Sequence, residues 1–163
     1  MQQLFSKLTT HQHLLLQSCF PEPDPNVLED GLKTVKDWNQ LIDSLRQNST
    51  LPLFYHQILR FKLLHLVPAE VREMMKQAKQ QTSLRNFRHI KVFTEVAALL
   101  SGSDIGFIPL KGITYLYKIY EDPSLRPMLD IDLLIREEDI PVVRQIMDKK
   151  GARQFTGLHS EFL

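Results

Sequence analysis

Asp130 and Asp132 stand one residue apart in the stretch RPMLDIDLLIREED, inside a run of large aliphatic residues. In a strand, alternate side chains share a face, so Leu129, Ile131, Leu133 and Ile135 fall on one side and Asp130, Asp132 and Leu134 on the other. Two neighbouring carboxylates repel each other. They either lie in water or gather around something positive. Phosphoryl-transfer sites built on two metal ions need such a pair, with carboxylate oxygens close enough to hold Mg²⁺ ions about 3.5–4 Å apart. The same alternation fits a half-exposed strand with both aspartates in solvent, although aspartate is disfavoured in strands. Upstream, IPLKGITYLYKIY sets Lys111 and Gly112 between an apolar run and a helix. Glycine lets the backbone approach a ligand closely, the free N–H groups of a helix start bind phosphate oxygens, and Lys111 adds positive charge. A Lys-Gly pair at a strand end is also a common turn.

These residues need elements to hold them. From Ile105, IGFIPL reads as a strand and KGITYLYKIYED as a turn into a short helix. DPSLRPM is a loop, LDIDLLI a strand, and EEDIPVVRQIMDKKG a helix started by acids and stopped by glycine. ARQF opens a third strand. The order predicts an α/β or α+β unit with at least one βαβ element. Residues 1–101 read as helical throughout. Leu4, Leu8, His11 and Leu15 fit one helix face, and PEPDPN is a turn or linker. Leu28, Leu32, Val35, Trp38, Leu41, Ile42 and Leu45 then recur at steps of three and four. Thr50 stands as a cap for a helix carrying Leu53, Phe54, Ile58, Phe61 and Leu64. After Pro68 a long helix runs to SGSD, with Gly102 as its cap. Met74 and Met75 read as core.

Composition narrows the classes. With 43% hydrophobic and 24% charged residues, the chain is long enough to bury a real core. A net charge of +1 without a dense basic stripe argues against a large electrostatic footprint on DNA. A single cysteine, Cys19, rules out an internal disulfide and fits a reducing compartment. No apolar run approaches the ~20 residues that span a bilayer, and the N-terminal leucine run is too short for a signal segment. The expectation is a cytoplasmic protein with no membrane partner. Zinc-type Cys/His spacing, a nucleophile elbow and a phosphate-loop lysine motif are all missing from the sequence.

The stretch PLKGITYLYKIYEDPSLRPMLDIDLLIREEDI resembles the uncharacterised nucleotidyltransferase family of the DNA polymerase beta-type superfamily. The elements of its pattern appear in order as Leu110, Lys111, Gly112, Tyr120, Arg126, Asp130, Ile131, Asp132, Leu133 and Leu134. The resemblance covers roughly residues 105–151, and DWNQLI around Trp38 is similar to the family's N-terminal region. It implies an α+β fold, with a helical region at 1–101 and a small nucleotidyltransferase-like core at 102–163. It also implies that Asp130 and Asp132 are catalytic and bind Mg²⁺ (or Mn²⁺) carrying a nucleoside triphosphate. Gly112 would open the phosphate turn, and Lys111 and Arg126 would neutralise phosphate oxygens, Arg126 in bidentate fashion. An acceptor hydroxyl on a protein, RNA or small molecule would attack the α-phosphate and release pyrophosphate, driven mostly by positioning and charge. A salt bridge from Arg126 to either aspartate, and a solvated Lys111, stay open beside these roles.

Two departures stand out. Gly112 is followed by Ile113 rather than serine or glycine, so no hydroxyl meets the phosphate there. The superfamily's third carboxylate has no evident source. Glu137, Glu138 and Asp139 open a helix, Asp148 closes it, and only Glu161 remains. The expectation is therefore a sheet incomplete at its C-terminal end, with an edge exposed or paired with another copy, and a chain that binds nucleotide but transfers little. Two other readings stand beside an active transferase. One is a non-catalytic nucleotide- or protein-binding module on this fold, and the other is a helical interaction protein.

Overall fold

The computed structural model describes residues 8–120 and 122–151. Helix α1 spans Thr10–Cys19. Thr9 Oγ1 accepts from the Gln12 N–H while Gln12 Oε1 accepts from the Thr9 N–H, a reciprocal cap that fixes where the helix begins. Leu8 therefore precedes the helix, whose buried residues are Leu14 and Ser18, while Leu15 of the expected face packs partly buried against the core. Leu4 lies outside the described residues.

The series from Leu28 to Leu45, expected as one run, is two helices: α2 (Pro25–Lys33) and α3 (Trp38–Gln47). Asp24 caps the first and Asp37 the second, each carboxylate accepting a backbone N–H of the first turn. Helix α4 covers Leu51–Arg60. Thr50 precedes it but does not cap it, since its hydroxyl donates back to the Leu45 carbonyl. The chain then turns at Lys62 (φ 60°) into a short 3₁₀ segment, Leu63–Leu66, so Leu64 is not part of α4.

Helix α5, Ala69–Gly102, is the spine of the molecule. Its cap is not Gly102. Asp104 takes the left-handed conformation (φ 58°), and the Ile105 and Asp104 N–H groups bond back to Leu100 and Ser101. Around its first turns lies the main core of Leu14, Leu28, Leu41, Leu45, Phe54, Ile58 and Met75, every one nearly inaccessible to water, with Met74 packed against it. Each such side chain contributes about 1.5–3 kcal/mol on burial.

Strand β1 (Phe107–Leu110), helix α6 (Lys111–Lys118) and strand β2 (Asp132–Ile135) follow. A 3₁₀ turn at Glu137–Asp139 and helix α7 (Ile140–Lys149) close the described chain, with Gly151 at φ 75° after α7. The strands pair antiparallel, from Phe107↔Ile135 to Leu110↔Asp132. The βαβ element is thus corrected: the chain returns to the end of β1 rather than to its start. The cause is the return segment, which is pinned along α5 and enters β2 beside Leu110. The third strand expected at ARQF lies outside the described residues. Among the described residues no helix is long and apolar enough to cross a membrane.

Candidate functional site

The antiparallel register decides the geometry. Asp132, first in β2, pairs with Leu110, last in β1. The next residue, Lys111, opens α6 and lies within reach, with its Nζ 3.1 Å from Asp132 Oδ2. That hydrogen bond and the charge of Asp132 raise the Lys111 pKa, and Asp130 pulls in the same direction. Lys111 is therefore an exposed cation paired with Asp132. Its backbone is unusual, at φ 45° in a region that side chains rarely occupy. The Thr114 hydroxyl ties the turn by donating to the Pro109 carbonyl at 2.7 Å.

Gly112, read from sequence as the residue that lets the backbone approach a ligand, does not hold a left-handed φ; Lys111 does. The need for glycine is space. A Cβ there would sit 2.8 Å from Met128 Cγ and 2.9 Å from its Sδ. Met128, Ile113 and Leu116 form a second small core, backed by Ile90 and Phe93 of α5.

Arg126 makes no ion pair among the described residues. Its guanidinium lies over the Tyr115 ring, 4.7 Å from the centroid, which leaves the donor edge available. Its backbone is held by a residue that sequence reasoning missed. Asn86, fully buried in α5, donates through Nδ2 to the carbonyls of Pro123 and Arg126, and its Oδ1 accepts from the Met128 N–H. Beside it, Lys79 Nζ reaches Asp122 Oδ2 at 2.8 Å, and Ser124 donates to the same carboxylate. Burial alone would raise the Asp122 pKa, but the hydrogen bonds from Lys79 and Ser124 outweigh it and hold it at about 2. One weak signal existed for Asn86: asparagine is a poor helix-interior residue and persists there when its amide is used elsewhere.

Lys111, Gly112, Arg126 and Asp130 line one cleft of about 460 Å³. Its other wall is helical: Cys19 at the end of α1, the α3–α4 turn at Ser49 and Thr50, and Leu53. Asp132 meets the cleft through its pair with Lys111. Four of the five expected site residues thus share one cavity, and the fifth is bonded to one of them.

Two hard carboxylates beside a cleft with two cations suit a divalent ion that arrives with a polyphosphate, the phosphates completing its oxygen shell. Among the described residues no three His, Cys, Asp or Glu side chains gather to hold a metal by themselves. Glu161 lies outside the described residues.

A family model described as an uncharacterised nucleotidyltransferase matches residues 34–161, which takes in the helical wall of the cleft from α3 onward as well as the sheet. No curated protein and no solved structure gives a match.

Proposed function

The chain belongs to this uncharacterised nucleotidyltransferase family, and from that premise we propose that it binds a Mg²⁺–nucleoside triphosphate and transfers the nucleoside monophosphate to an acceptor hydroxyl. The convergence of Lys111, Gly112, Arg126 and Asp130 on one cleft, with Asp132 bonded to Lys111, carries the reading. The Lys111 ammonium and the Arg126 guanidinium bind phosphate oxygens, the guanidinium with its flat face already over the Tyr115 ring and its edge turned to the ligand. When Lys111 turns to a phosphate it releases the Asp132 carboxylate. Asp130 and Asp132 would then hold Mg²⁺, which supplies charge neutralisation and alignment of the triphosphate. The acceptor hydroxyl oxygen forms a bond to the α-phosphorus and its proton passes to solvent, the bond to the bridging oxygen breaks, and pyrophosphate leaves with that electron pair.

Calorimetric titration of ATP with Mg²⁺ tests the assignment. Asp130→Asn and Asp132→Asn should each weaken binding sharply, and Arg126→Lys should weaken it because an ammonium has neither the fork nor the stacking plane. Equal affinities across wild type and the three variants would remove these residues from the site.

A second reading has its own support. Only two carboxylates converge among the described residues, and the ion that activates an acceptor hydroxyl depends most on a third. A module that binds nucleotide without transferring it would show the titration above, yet label no acceptor in a lysate with any radioactive nucleoside triphosphate. Label transfer abolished by Glu161→Gln would decide for the enzyme.

A further inference from the structure

The phosphate cleft has a smaller neighbour, a cavity of about 230 Å³. The two share Ser49, Pro127 and Leu129, and Asp130 of the phosphate cleft is the next residue along the chain. Gln81, Thr82 and Arg85 of α5 bring helix side chains to the small cavity, and Arg46 reaches it from the last turn of α3.

Its charge is one-sided. Arg46 and Arg85 line it and no carboxylate does. Arg85 makes no ion pair among the described residues. Arg46 has only an exposed contact to Asp43 at 3.8 Å, and such pairs hold little. Thr82 is 7% exposed, yet its hydroxyl, unlike that of Thr94, makes no bond back to the helix. The unpartnered side-chain atoms sealed from water among the described residues are Gln57 Oε1 and His89 Nδ1. Thr82 Oγ1 is not one of them, so a ligand can reach it. The exposed Ser49 adds a second free hydroxyl.

Guanidinium forks and free hydroxyls with no acid beside them select an anion. Two forks alone would saturate the lone pairs of a carboxylate, whereas a phosphate ester has a third terminal oxygen for the hydroxyls. The volume is below the ~300–1,000 Å³ of a site that encloses a whole small ligand, so it suits one phosphate group with the rest of the molecule outside.

We propose that this cavity binds a phosphate ester carried by the acceptor, so that the acceptor hydroxyl is delivered past Leu129 to the α-phosphate beside Asp130. The proposal rests on the nucleotidyltransferase reading and gives its second substrate a class: a hydroxyl compound that already bears a phosphate. A small phosphorylated alcohol and the end of an RNA strand both offer that chemistry.

The probes are glycerol 3-phosphate, glycerol, and an RNA trinucleotide with a free 3′-hydroxyl. Amide NMR of the full-length chain reads where each one binds, with the phosphate cleft filled beforehand by Mg²⁺–tripolyphosphate. Glycerol 3-phosphate should shift Ser49, Thr82 and Arg85 saturably, and glycerol should not. Arg85→Gln and Thr82→Val, both checked by melting curves, should weaken it, Arg85→Gln about tenfold through the loss of a charge-assisted bond. A trinucleotide that shifts the same amides at a tenfold lower concentration makes an RNA end the source, and equal or weaker binding makes it a small alcohol. If tripolyphosphate binds but these amides do not respond, or Arg85→Gln changes nothing, the proposal falls while the phosphate site stands. If Arg85→Gln weakens tripolyphosphate as much as glycerol 3-phosphate, the arginines serve the triphosphate and the proposal also falls. If wild type does not bind Mg²⁺–tripolyphosphate, the phosphate site itself is wrong and the proposal goes with it.

Discussion

From α1 through the first turns of α5 the chain is held by apolar side chains packed from every side, with Leu28, Leu41, Phe54, Ile58 and Met75 all at 0% exposure. The sheet unit buries only Ile105, Ile113, Leu116, Leu125 and Met128 among its described apolar residues, and leaves Ile108 and Leu134, paired across the two strands, 58% and 54% exposed. Two strands alone are marginal in water. What fixes this unit is directional chemistry instead: the three hydrogen bonds of Asn86 and the Lys79–Asp122–Ser124 cluster, all anchored on α5. A packed core resists change everywhere, whereas a polar clamp can open locally. With the proposed phosphate-binding residues on the clamped side, the cleft would be free to adjust around a ligand against a packed helical wall.

The most direct way to break the contrast is to attack the rigid side. Phe54→Ala in the helical core should cost about 3–5 kcal/mol, a large share of the roughly 5–15 kcal/mol that holds a domain folded, as read by chemical denaturation. Asn86→Ala should cost less, about 1–3 kcal/mol, because it orphans the Met128 N–H and two carbonyls without opening the main core. Its signature is regional. Hydrogen exchange should quicken at Met128 while the amides of α3 and α4 keep their protection, and phosphate affinity should fall with the loss of Arg126 positioning. Uniform exchange across both regions would show that the two are one cooperative unit.

A smaller effect comes from acid. The folded pKa of Asp122 is about 2 against an ordinary 3.8. A depressed carboxylate stabilises the fold above its unfolded pKa, and that contribution is lost as pH falls from about 4 toward 2. The group is more than a third exposed, so solvent screening reduces the effect to about 1 kcal/mol. Denaturation at pH 5 and pH 2.5 should differ more for wild type than for Asp122→Asn, and equal differences would discount the cluster as a clamp.

The same contrast explains what the sequence could reveal. Helical periodicity exposed the core residues Leu41, Ile42, Leu45 and Phe54 because packing follows a regular spacing. It blurred α2 into α3, since the caps at Asp37 and Thr34 interrupt the backbone but not the apolar rhythm. The candidate site residues were legible as a motif; Lys111 and Gly112 meet Asp132 through adjacency along β1, α6 and β2, whereas Arg126 and Asp130 reach the cleft from the segment that Asn86 holds. The strand direction was not legible, because it depends on Asn86 and Lys79, which hold residues about forty positions away. No local pattern in a sequence records such a contact. Gly112 was found for an incomplete reason: its missing side chain makes room for Met128, whatever else the turn binds.

The smallest expected effect on stability is also the sharpest on function. Lys111 is an exposed side chain whose ion pair with Asp132 lies near water, and such pairs add little to folding. Lys111→Ala also relieves no packing, because the ammonium fills no core position. The melting temperature should therefore hardly move. Binding should respond in steps with charge: the triphosphate loses most, the diphosphate less, and the nucleoside nothing. The Asp132 carboxylate, freed from its cation, would then repel an approaching phosphate unless a divalent ion intervenes. Raising Mg²⁺ should therefore restore more of the lost ATP affinity in Lys111→Ala than it adds to wild type. Titrations at low and high Mg²⁺ read this directly. A loss that is equal for triphosphate and nucleoside, or indifferent to Mg²⁺, would mean that Lys111 supports the turn at the end of β1 and does not touch the phosphates.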